Sequence, residues 1–508
     1  MPNLAVIRQS GPFIDVSADG QKPLPAGIYK ALERPLFYTF IKFKFGAEAY
    51  NKDTGAHEPR TSERRRLFQY DDQGRLVCQK GFRPRLTGML MQMGLQVEFI
   101  DKDDPKDPKI YQAHWDRVFD RFQFRSQQDV CLAQIDMHDY GLIDAPPAFG
   151  KTHIMGMIGV LYPKAKIDIV TKRKDVVARH KQLLTSWIPS VGQIGGGKKE
   201  RNRRVTVYTA DSLHHSDFTA DFMLADEAHE LMTDRLAEQV SRYWRSRNFA
   251  FTATPDTRMD NAHHRMEGIF GPTIFKMTQQ QAEAHSLVAP VLVQWINVES
   301  DFDPALQSTL VAQKRNGIWR HEFRNELIAR AAREHRAQDK QVLILVDTVD
   351  HALHIRKHLP EAKLCYAEGG LSTDKRRFFI REGLLEPGEV MTLPERNSLR
   401  HGFERREEML VIATGVWAVG VSFDSLNVLI RADGGSSETV NVQLPGRVCR
   451  IDSSSGKQCG VLVDFYDDWN SNFRTKSVTR RRSYHKRGWT QFLSNGAIWA
   501  PRTRRGDL

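Results

Sequence analysis

The stretch that decides the fold reads Gly141-Leu-Ile-Asp-Ala-Pro-Pro-Ala-Phe-Gly-Lys-Thr152. It begins with an apolar run typical of a buried strand, and a helical pattern follows Thr152. A strand and a helix joined by a loop that ends in Gly-Lys-Thr indicate a phosphate-binding loop. Lys151 would reach the β and γ phosphates there, and Thr152 would hold Mg²⁺. A Gly-Lys-Thr/Ser triplet arises by chance in about one chain of this length in four, so the context must decide.

Two adjacent carboxylates follow the apolar run Phe222 to Ala225, in the sequence Asp226-Glu-Ala-His229. At the end of a strand, Asp226 would hold Mg²⁺ through its water shell, while Glu227 would orient and deprotonate the attacking water. An isolated Asp-Glu pair is more often a helix cap beside a solvated carboxylate. The next predicted strand ends in Thr252-Ala-Thr-Pro255, so three loops would leave one edge of a sheet, where α/β proteins bind ligands. This arrangement favours the catalytic interpretation.

Short apolar runs alternate with longer helical patterns on both sides of these motifs. Such a rhythm predicts parallel sheets with crossover helices, and hence an α/β fold. The first series of runs comprises residues 141–145, 166–171, 204–210, 221–225 and 248–252. The second comprises residues 291–298, 341–347, 362–367, 408–414, 427–432 and 460–465. We therefore expect two tandem domains, at residues 116–288 and 289–470.

The first part of the chain, residues 1–115, lacks this rhythm. Strand-like segments at 36–45, 75–78 and 95–100 surround a helical pattern near 83–93. This mixture predicts a small α+β domain. The polar run 101–109 indicates a linker that follows it.

Composition excludes several classes of protein. The chain has 508 residues, of which 40% are apolar and 27% charged, as in folded globular proteins rather than disordered or collagen-like ones. No apolar run approaches the roughly 18 residues that span a bilayer. The first residues lack a basic segment followed by an apolar core, so we expect a cytoplasmic protein. Five cysteines without a Cys-x-x-Cys pair predict reduced thiols.

The charge suggests a polyanionic partner. The formal net charge is +12, and residues 471–508 hold ten Lys or Arg with one acidic residue, which predicts a basic C-terminal tail. Five aromatic residues of this tail could stack on nucleic-acid bases: Phe473, Tyr484, Trp489, Phe492 and Trp499. The alternative is that these aromatic side chains pack on the preceding domain, and the sequence of the tail favours neither.

Taken together, these motifs resemble those of superfamily 2 nucleic-acid helicases of the DEAH-box kind, which contain two RecA-like domains. Phe124-Arg-Ser-Gln-Gln128 resembles the segment whose glutamine contacts adenine. Ile412-Ala-Thr-Gly-Val-Trp-Ala-Val-Gly-Val-Ser422 resembles the fifth motif, and Gln443-Leu-Pro-Gly-Arg-Val-Cys-Arg450 resembles the sixth. The resemblance covers roughly residues 120 to 490. It implies ATP and Mg²⁺ as cofactors, bound between two domains whose closure drives movement along a strand.

The resemblance also implies roles for single residues. Arg447 and Arg450 would be arginine fingers, with Gln443 beside them. Further nucleotide contacts would come from Gln128, Ala148, Gly150 and Asp424. Coupling of hydrolysis to movement would involve His229, Thr252 and Thr254. The nucleic-acid backbone would be gripped by loops that contain Thr171, Arg173, Thr209, Thr348 and Thr414.

Two positions depart from the family pattern. Ala148 stands where the phosphate-binding loop usually has glycine, which alters the loop if that residue needs a positive φ. The fifth motif commonly has Asp where Ser422 stands, and Asp424 comes two residues later. Residues 372–395 resemble an insertion, either a pin or a loop.

Within the superfamily, the chain resembles phage-type branch-migration and fork-reversing DNA helicases. Gln193-Ile-Gly-Gly-Gly-Lys198 and the amino-terminal Gly81-Phe-Arg-Pro-Arg-Leu86 carry this resemblance. In those relatives a small leading domain engages duplex DNA. We therefore expect a monomeric, ATP-dependent DNA helicase or translocase that remodels forked or branched DNA in replication, recombination or repair. The alternatives are an RNA helicase, or a nucleic-acid-binding scaffold whose ATPase is degraded.

Overall fold

The computed structural model describes residues 4–43, 60–103, 107–253, 255, 261, 263–300, 303–304, 309–367, 369–418, 423–437, 440–441, 444–452 and 457–499. The chain divides into two compact units. The first comprises Met1–Ala145 and Gly150–Met277, and the second comprises Pro146–Phe149 and Thr278–Leu508. Among the described residues, no helix has the length and apolar character that crossing a membrane requires. All five cysteines are free thiols.

The amino-terminal region of the first unit has its own sheet and core. Five strands run in the order β5-β6-β2-β1-β7: β1 (Leu4–Ser10), β2 (Phe13–Ala18), β5 (Phe68–Tyr70), β6 (Leu76–Gln79) and β7 (Gln96–Asp101). Helices α1 (Ala26–Glu33) and α2 (Arg83–Gln92) contribute Leu32 and Leu86 to the core beneath this sheet. A separate antiparallel hairpin joins β3 (Phe37–Phe43) to β4 (Arg60–Arg66), with Phe37 opposite Arg66. The mixture of strands and helices agrees with the expected α+β domain.

This amino-terminal region packs directly on the parallel-sheet part of its unit. A Cβ added to Gly81 would lie 2.0 Å from the carbonyl oxygen of Glu267, so only glycine fits there. Arg85 Nη2 lies 2.5 Å from Glu267 Oε2, and the ammonium of Lys80 donates to the carbonyl of Trp244. The contact is therefore close-packed and includes an ion pair.

The rest of the first unit is built on an eight-stranded sheet with the order β11-β10-β12-β9-β13-β14-β8-β15. Its strands are β8 (Tyr140–Asp144), β9 (Ile167–Thr171), β10 (Val191–Gly195), β11 (Lys198–Lys199), β12 (Val205–Thr209), β13 (Phe222–Asp226), β14 (Arg247–Thr252) and β15 (Thr273–Lys276). Only the short β10–β11 pair is antiparallel among them. The helices are α3 (Trp115–Arg121), α4 (Gln128–Met137), α5 (Lys151–Leu161), α6 (Lys174–Thr185), α7 (Asp234–Ser241) and α8 (His264–Phe270). Parallel pairing brings the ends of β8, β9, β12, β13 and β14 to one edge.

The second unit contains a parallel seven-stranded sheet with the order β18-β19-β17-β20-β21-β16-β22. Its strands are β16 (Val291–Val298), β17 (Val342–Leu345), β18 (Lys363–Cys365), β19 (Leu410–Ala413), β20 (Val428–Arg431), β21 (Gly460–Asp467) and β22 (Thr490–Phe492). The helices are α9 (Gln279–Ala284), α10 (Leu310–Lys314), α11 (Glu322–Arg336), α12 (Val349–His358), α13 (Thr373–Arg381), α14 (Leu393–Glu404), α15 (Gly415–Ala418) and the C-terminal helix (Ser471–Lys486). Two tandem parallel-sheet domains preceded by an α+β region confirm the expected fold class.

The described part of residues 471–508 is not a separate basic arm. Phe473, Tyr484 and Trp489 are buried in the second unit, so their rings are not available for stacking on bases. Arg480 is fully buried, with its Nε 3.0 Å from Asp464 Oδ2. Strand β22 completes the sheet beside β16. The structure thus corrects the expected tail and favours the alternative, in which these side chains pack on the preceding domain.

The segment 372–395, expected to be a pin or a loop, comprises the packed helix α13, a turn and the first residues of α14. Ser372 caps α13, and Phe379 and Leu385 are buried in the core of the second unit. The buried phenyl ring anchors the segment to the domain. It therefore does not project as a pin.

Candidate nucleotide and nucleic-acid site

The loop between β8 and α5 has two residues in the left-handed region. Gly150, which precedes α5, has φ +97°, and Ala148 has φ +66°. Glycine adopts such angles freely, whereas a Cβ costs about 1 kcal/mol. The position where the family pattern has glycine thus keeps the conformation that glycine favours, and the loop geometry tolerates Ala148 at the cost of local strain.

The predicted adenine-contacting glutamine lies against this loop. A Cβ added to Gly150 would lie 2.5 Å from Gln128 Nε2, so the absence of a side chain at position 150 makes this contact possible. Gln128 is buried, and its Oε1 accepts a hydrogen bond from the Arg125 amide at 3.0 Å. Lys151 donates from Nζ to the carbonyl of Ala145 at 3.2 Å, across the same loop. The structure therefore brings Gln128, Gly150 and Lys151 together, with Thr152 in the first turn of α5.

Asp226 ends β13 in a buried position beside a histidine that sequence reasoning missed. Nε2 of His180, on α6, lies 3.0 Å from Asp226 Oδ2. Burial by itself raises the pKa of Asp226, but the His180 contact and the charge of Lys151 hold that pKa below its usual value. An ionised carboxylate near Lys151 and Thr152 is the group that a Mg²⁺ ion bound to phosphates requires.

Glu227, the next residue, has a contrasting environment. Its φ is +47°, and 28% of its side chain is accessible. Burial raises the pKa of Glu227 to about 7, with Lys151 opposing this rise and the charges of Asp226 and Glu230 adding to it. Among the described residues, none donates a hydrogen bond to its Oε2. A carboxylate with a pKa near neutrality and a buried oxygen that receives no hydrogen bond from the described residues suits a general base.

The end of β14 contacts both the turn after β13 and the phosphate-binding loop after β8. His229 Nδ1 lies 2.9 Å from Thr252 Oγ1 and 3.6 Å from Glu227 Oε2. The carbonyl of Thr252 accepts a hydrogen bond from the Ala145 amide at 3.1 Å. His229 and Thr252, both predicted to couple hydrolysis to movement, are thus in direct contact. Thr254 lies outside the described residues.

The predicted nucleic-acid contacts of the first unit differ in accessibility. Thr171 and Thr209 end β9 and β12, but both side chains are buried, and Thr209 Oγ1 donates to Ser212 at 2.9 Å. Arg173 is partly exposed, and its Nη2 lies 2.9 Å from Glu230 Oε1. Of these three side chains, Arg173 is therefore the one that a phosphate reaches most readily.

The two predicted contacts of the second unit stand at the ends of neighbouring strands. Thr348 follows β17, and its Oγ1 accepts a hydrogen bond from the His351 amide at 3.3 Å, which caps α12. Thr414 follows β19 and is buried. Because β17 and β19 are parallel neighbours, their loops leave the sheet at the same edge.

The predicted arginine fingers lie in the second unit. Arg447 is buried in the turn Pro445–Arg447. Arg450 Nη1 donates to Asp424 Oδ1 at 2.8 Å, which pairs two residues that were assigned to the nucleotide on separate grounds. Gln443 lies outside the described residues.

These residues fit ATP and Mg²⁺. The cation of Lys151, the amides that begin α5 and the glutamine at Gly150 suit a nucleotide with a phosphate chain. Thr152 and the ionised Asp226 would hold the Mg²⁺ ion, which neutralises charge on the phosphates.

Comparison with known proteins agrees with this geometry. Residues 114–257 match the family described as the res subunit of type III restriction enzymes. The chain is 22% identical over 420 residues to the "Probable helicase D10" of Escherichia phage T5, covering 79% of this chain and 82% of that protein. A fragment of a putative HsdR subunit of a type I restriction enzyme from Vibrio vulnificus has a similar fold, with a TM-score of 0.53, 15% identity and coverage of 96% and 89%. T4 UvsW matches over 96% of this chain and 98% of its own, with a TM-score of 0.41 and 14% identity.

The family match and the phage relative support a superfamily 2 helicase. The fold of this chain comprises two RecA-like domains preceded by an α+β region. The family match covers the residues from before Gln128 to after Thr252, which include the phosphate-binding loop and the Asp226-Glu227 pair.

Proposed function

We propose that this protein is an ATP-dependent DNA helicase or translocase that remodels forked or branched DNA. The constellation of Lys151, Asp226 and Glu227 at one sheet edge carries the ATPase part of the proposal. Similarity to a phage protein named as a probable helicase supports the same activity.

The hydrolytic chemistry follows from the two carboxylates. Glu227, whose pKa lies near 7, would accept a proton from the attacking water, whereas Asp226 remains ionised and would hold the Mg²⁺ ion. Lys151 offsets charge on the transferred phosphate, and we assign the same task to Arg447 and Arg450. ATP and Mg²⁺ are thus the proposed cofactors.

Preference for a fork rests on the amino-terminal region. The hairpin of β3 and β4 exposes Arg64 and Arg66 on one face, since alternate residues of a strand point the same way. Gly81 packs against the backbone of Glu267, and Arg85 forms an ion pair with the side chain of Glu267, so this region contacts the parallel-sheet part of the first unit. A basic face on the same unit as the ATPase residues would contact duplex DNA while the loops after β9 and β12 contact one strand.

The test compares ATP hydrolysis with forked DNA, four-way junctions, single-stranded DNA and single-stranded RNA of equal nucleotide concentration. Forks and junctions should stimulate the wild-type protein most. Lys151→Ala and Glu227→Gln should abolish the stimulated rate, and Glu227→Gln should still bind ATP, because the phosphate contacts remain.

A second pair of variants tests the fork preference separately. Arg64→Ala with Arg66→Ala should remove the preference for forks and spare the rate without DNA, because both side chains are exposed on the separate β3–β4 hairpin. Arg34→Ala with Lys30→Ala, exposed basic positions at the end of α1, serves as the control. Stimulation by RNA above DNA would indicate an RNA helicase, and no hydrolysis under any condition would indicate a scaffold.

A further inference from the structure

Helix α6 makes two contacts with the hydrolytic segment Asp226–Leu231 that the proposed mechanism does not use. Arg173, the N-cap residue immediately before α6, pairs with Glu230, with Nη2 to Oε1 at 2.9 Å and Nε to Oε2 at 3.4 Å. Two turns later, His180 lies 3.0 Å from Asp226. One helix therefore touches both the metal-binding carboxylate and the far end of the turn that carries Glu227.

The turn between these contacts is short and strained. The amide of Glu230 donates to the carbonyl of Glu227 at 2.8 Å. Glu230, which pairs with Arg173, is therefore hydrogen-bonded directly to the backbone of Glu227, the proposed general base. Glu227 holds a φ of +47°, a conformation that costs a residue with a Cβ about 1 kcal/mol and persists only where its surroundings enforce it. The Arg173–Glu230 pair holds the far end of this turn, at the residue whose amide bonds the Glu227 carbonyl.

We propose that the Arg173–Glu230 ion pair is a latch that restrains the hydrolytic turn until a nucleic-acid phosphate takes Arg173 from Glu230. This inference rests on the proposed function, because it presumes that the loop after β9 meets a phosphate backbone. It adds a regulatory role to two residues, one of which, Glu230, was not assigned any role from the sequence.

Arg173 can exchange the Glu230 carboxylate for a phosphate and keep the same number of hydrogen bonds. An arginine guanidinium binds a carboxylate and a phosphate through the same paired hydrogen bonds, so the phosphate can replace Glu230 without a change of geometry at Arg173. The side chain of Arg173 is 29% accessible, whereas that of Glu230 is 15% accessible. A phosphate can therefore approach Arg173, and Glu230 is left as a largely buried carboxylate without its cation. Such a carboxylate is costly, and the turn relieves the cost by moving toward solvent.

The first experiment measures ATP hydrolysis without and with saturating single-stranded DNA for the wild-type protein and Glu230→Gln. The amide cannot form the ion pair, so the rate without DNA should rise about fivefold, the equivalent of an ion pair of about 1 kcal/mol, and the stimulation ratio should fall by the same factor. Glu200→Gln is the matched control, because it removes a different ion pair of α6, between Glu200 and Lys181 of that helix, at 2.5 Å. Its rates and ratio should equal those of the wild-type protein.

Two further variants separate the latch from a general loss of structure. Arg173→Gln should raise the rate without DNA as Glu230→Gln does, and should also raise the DNA concentration needed for half-stimulation. The double exchange Arg173→Glu with Glu230→Arg restores an ion pair, so its rate without DNA should return toward the wild-type value. Its stimulation should stay low, because a phosphate does not attract the carboxylate placed at position 173.

The outcomes distinguish the latch from the function on which it rests. A wild-type protein that DNA and RNA fail to stimulate overturns the proposed function and the latch together. A wild-type protein that is stimulated, beside a Glu230→Gln variant whose rate without DNA stays at or below the wild-type rate, overturns the latch alone. Failure of Glu230→Gln to fold leaves the test to Arg173→Gln, whose side chain is partly exposed.

Discussion

His229 and Thr252 are joined by a hydrogen bond of 2.9 Å between Nδ1 and Oγ1, which links the turn after β13 to the end of β14. The carbonyl of Thr252 in turn holds the amide of Ala145, the first residue of the phosphate-binding loop. Thr252 therefore contacts both the turn that carries Glu227 and the phosphate-binding loop that carries Lys151.

The hydroxyl of Thr252 should therefore matter more for movement than for hydrolysis. Thr252→Val keeps the shape of the side chain and the backbone contact to Ala145 but removes the bond to His229. We expect the DNA unwound per ATP hydrolysed to fall at least fivefold while hydrolysis falls less, measured on forked DNA. Thr185→Val is the control, because within the described part of the chain the hydroxyl of Thr185 bonds a carbonyl of its own helix, that of Lys181. Equal losses of unwinding and hydrolysis in Thr252→Val would contradict a coupling role.

The pH dependence of hydrolysis should report Glu227. Its pKa is raised from an ordinary 4.5 to about 7, and the base must be deprotonated to accept a proton. The value of kcat/KM for ATP should therefore rise with pH from about 6 and level off above about 8. The residual activity of Glu227→Gln should lack this rise. A wild-type profile that is flat between pH 5.5 and 8 would place the base elsewhere.

Replacing Ala148 by glycine should relieve strain, because the residue has a φ of +66°. We expect Ala148→Gly to raise the thermal unfolding midpoint by roughly 2 °C and to retain ATP hydrolysis. Gly150→Ala is the opposite case, since its Cβ would meet Gln128 Nε2 at 2.5 Å, and it should lose nucleotide binding. An Ala148→Gly variant that is less stable than the wild type would show that the methyl group contributes packing that outweighs the strain.

The Arg450–Asp424 pair allows the finger role to be separated from a structural one. Arg450→Ala should lower turnover of ATP by roughly 10³-fold and change KM less, because a finger acts on charge that develops during transfer. Asp424→Asn also breaks the ion pair but retains Arg450, so its turnover should fall far less. Steady-state measurement of kcat and KM for ATP in both variants distinguishes a finger role of Arg450 from a structural role of the ion pair. Equal losses in the two would indicate that the pair serves the fold.

Burial of the C-terminal helix predicts a large loss of stability on removing its central cation. Arg480→Ala leaves Asp464 as a buried charge without its partner, which costs about 3–5 kcal/mol. The unfolding midpoint of the second unit should fall by roughly 10 °C in calorimetry. Arg482→Ala, two positions away and exposed, should change it by about 1 °C or less. A small effect of Arg480→Ala would mean that the helix contributes little to the unit.

Apolar periodicity predicted the strands that are buried on both faces, because such strands need unbroken apolar runs. All five runs predicted for the first parallel sheet form strands, and Val291–Val298 has the predicted bounds. Strands β10, β11, β15 and β22 of the two large sheets were missed. Val191–Gly195 contains two glycines, and the other three strands are two to four residues long. The C-terminal helix was predicted to be part of a basic tail because residues 471–508 contain ten Lys or Arg. One of these, Arg480, is buried, and its charge is neutralised by Asp464, a contact that composition does not reveal.

The candidate site was predictable where motif and spacing determine it, as for Lys151, Asp226 and Glu227. His180 and Glu230 were not, because their roles depend on contacts between segments far apart in the sequence. His180 stands 46 residues before Asp226, and Arg173 stands 57 residues before Glu230. A histidine and an ion pair of this kind have no local signature, and only the crossing of α6 over the end of β13 brings them together.

The pairing of β16 with β22 has a consequence for biosynthesis. Leu292 of the first strand meets Thr490, which the ribosome adds roughly 200 residues later, and at bacterial rates this delay is roughly 10 to 40 s. Throughout that interval the nascent second unit carries an open sheet edge at β16, exposed to mispairing with other chains or to capture by chaperones. A ribosome that stalls before Phe492 would therefore release an aggregation-prone product, and the yield of active protein should depend on translation through this last strand.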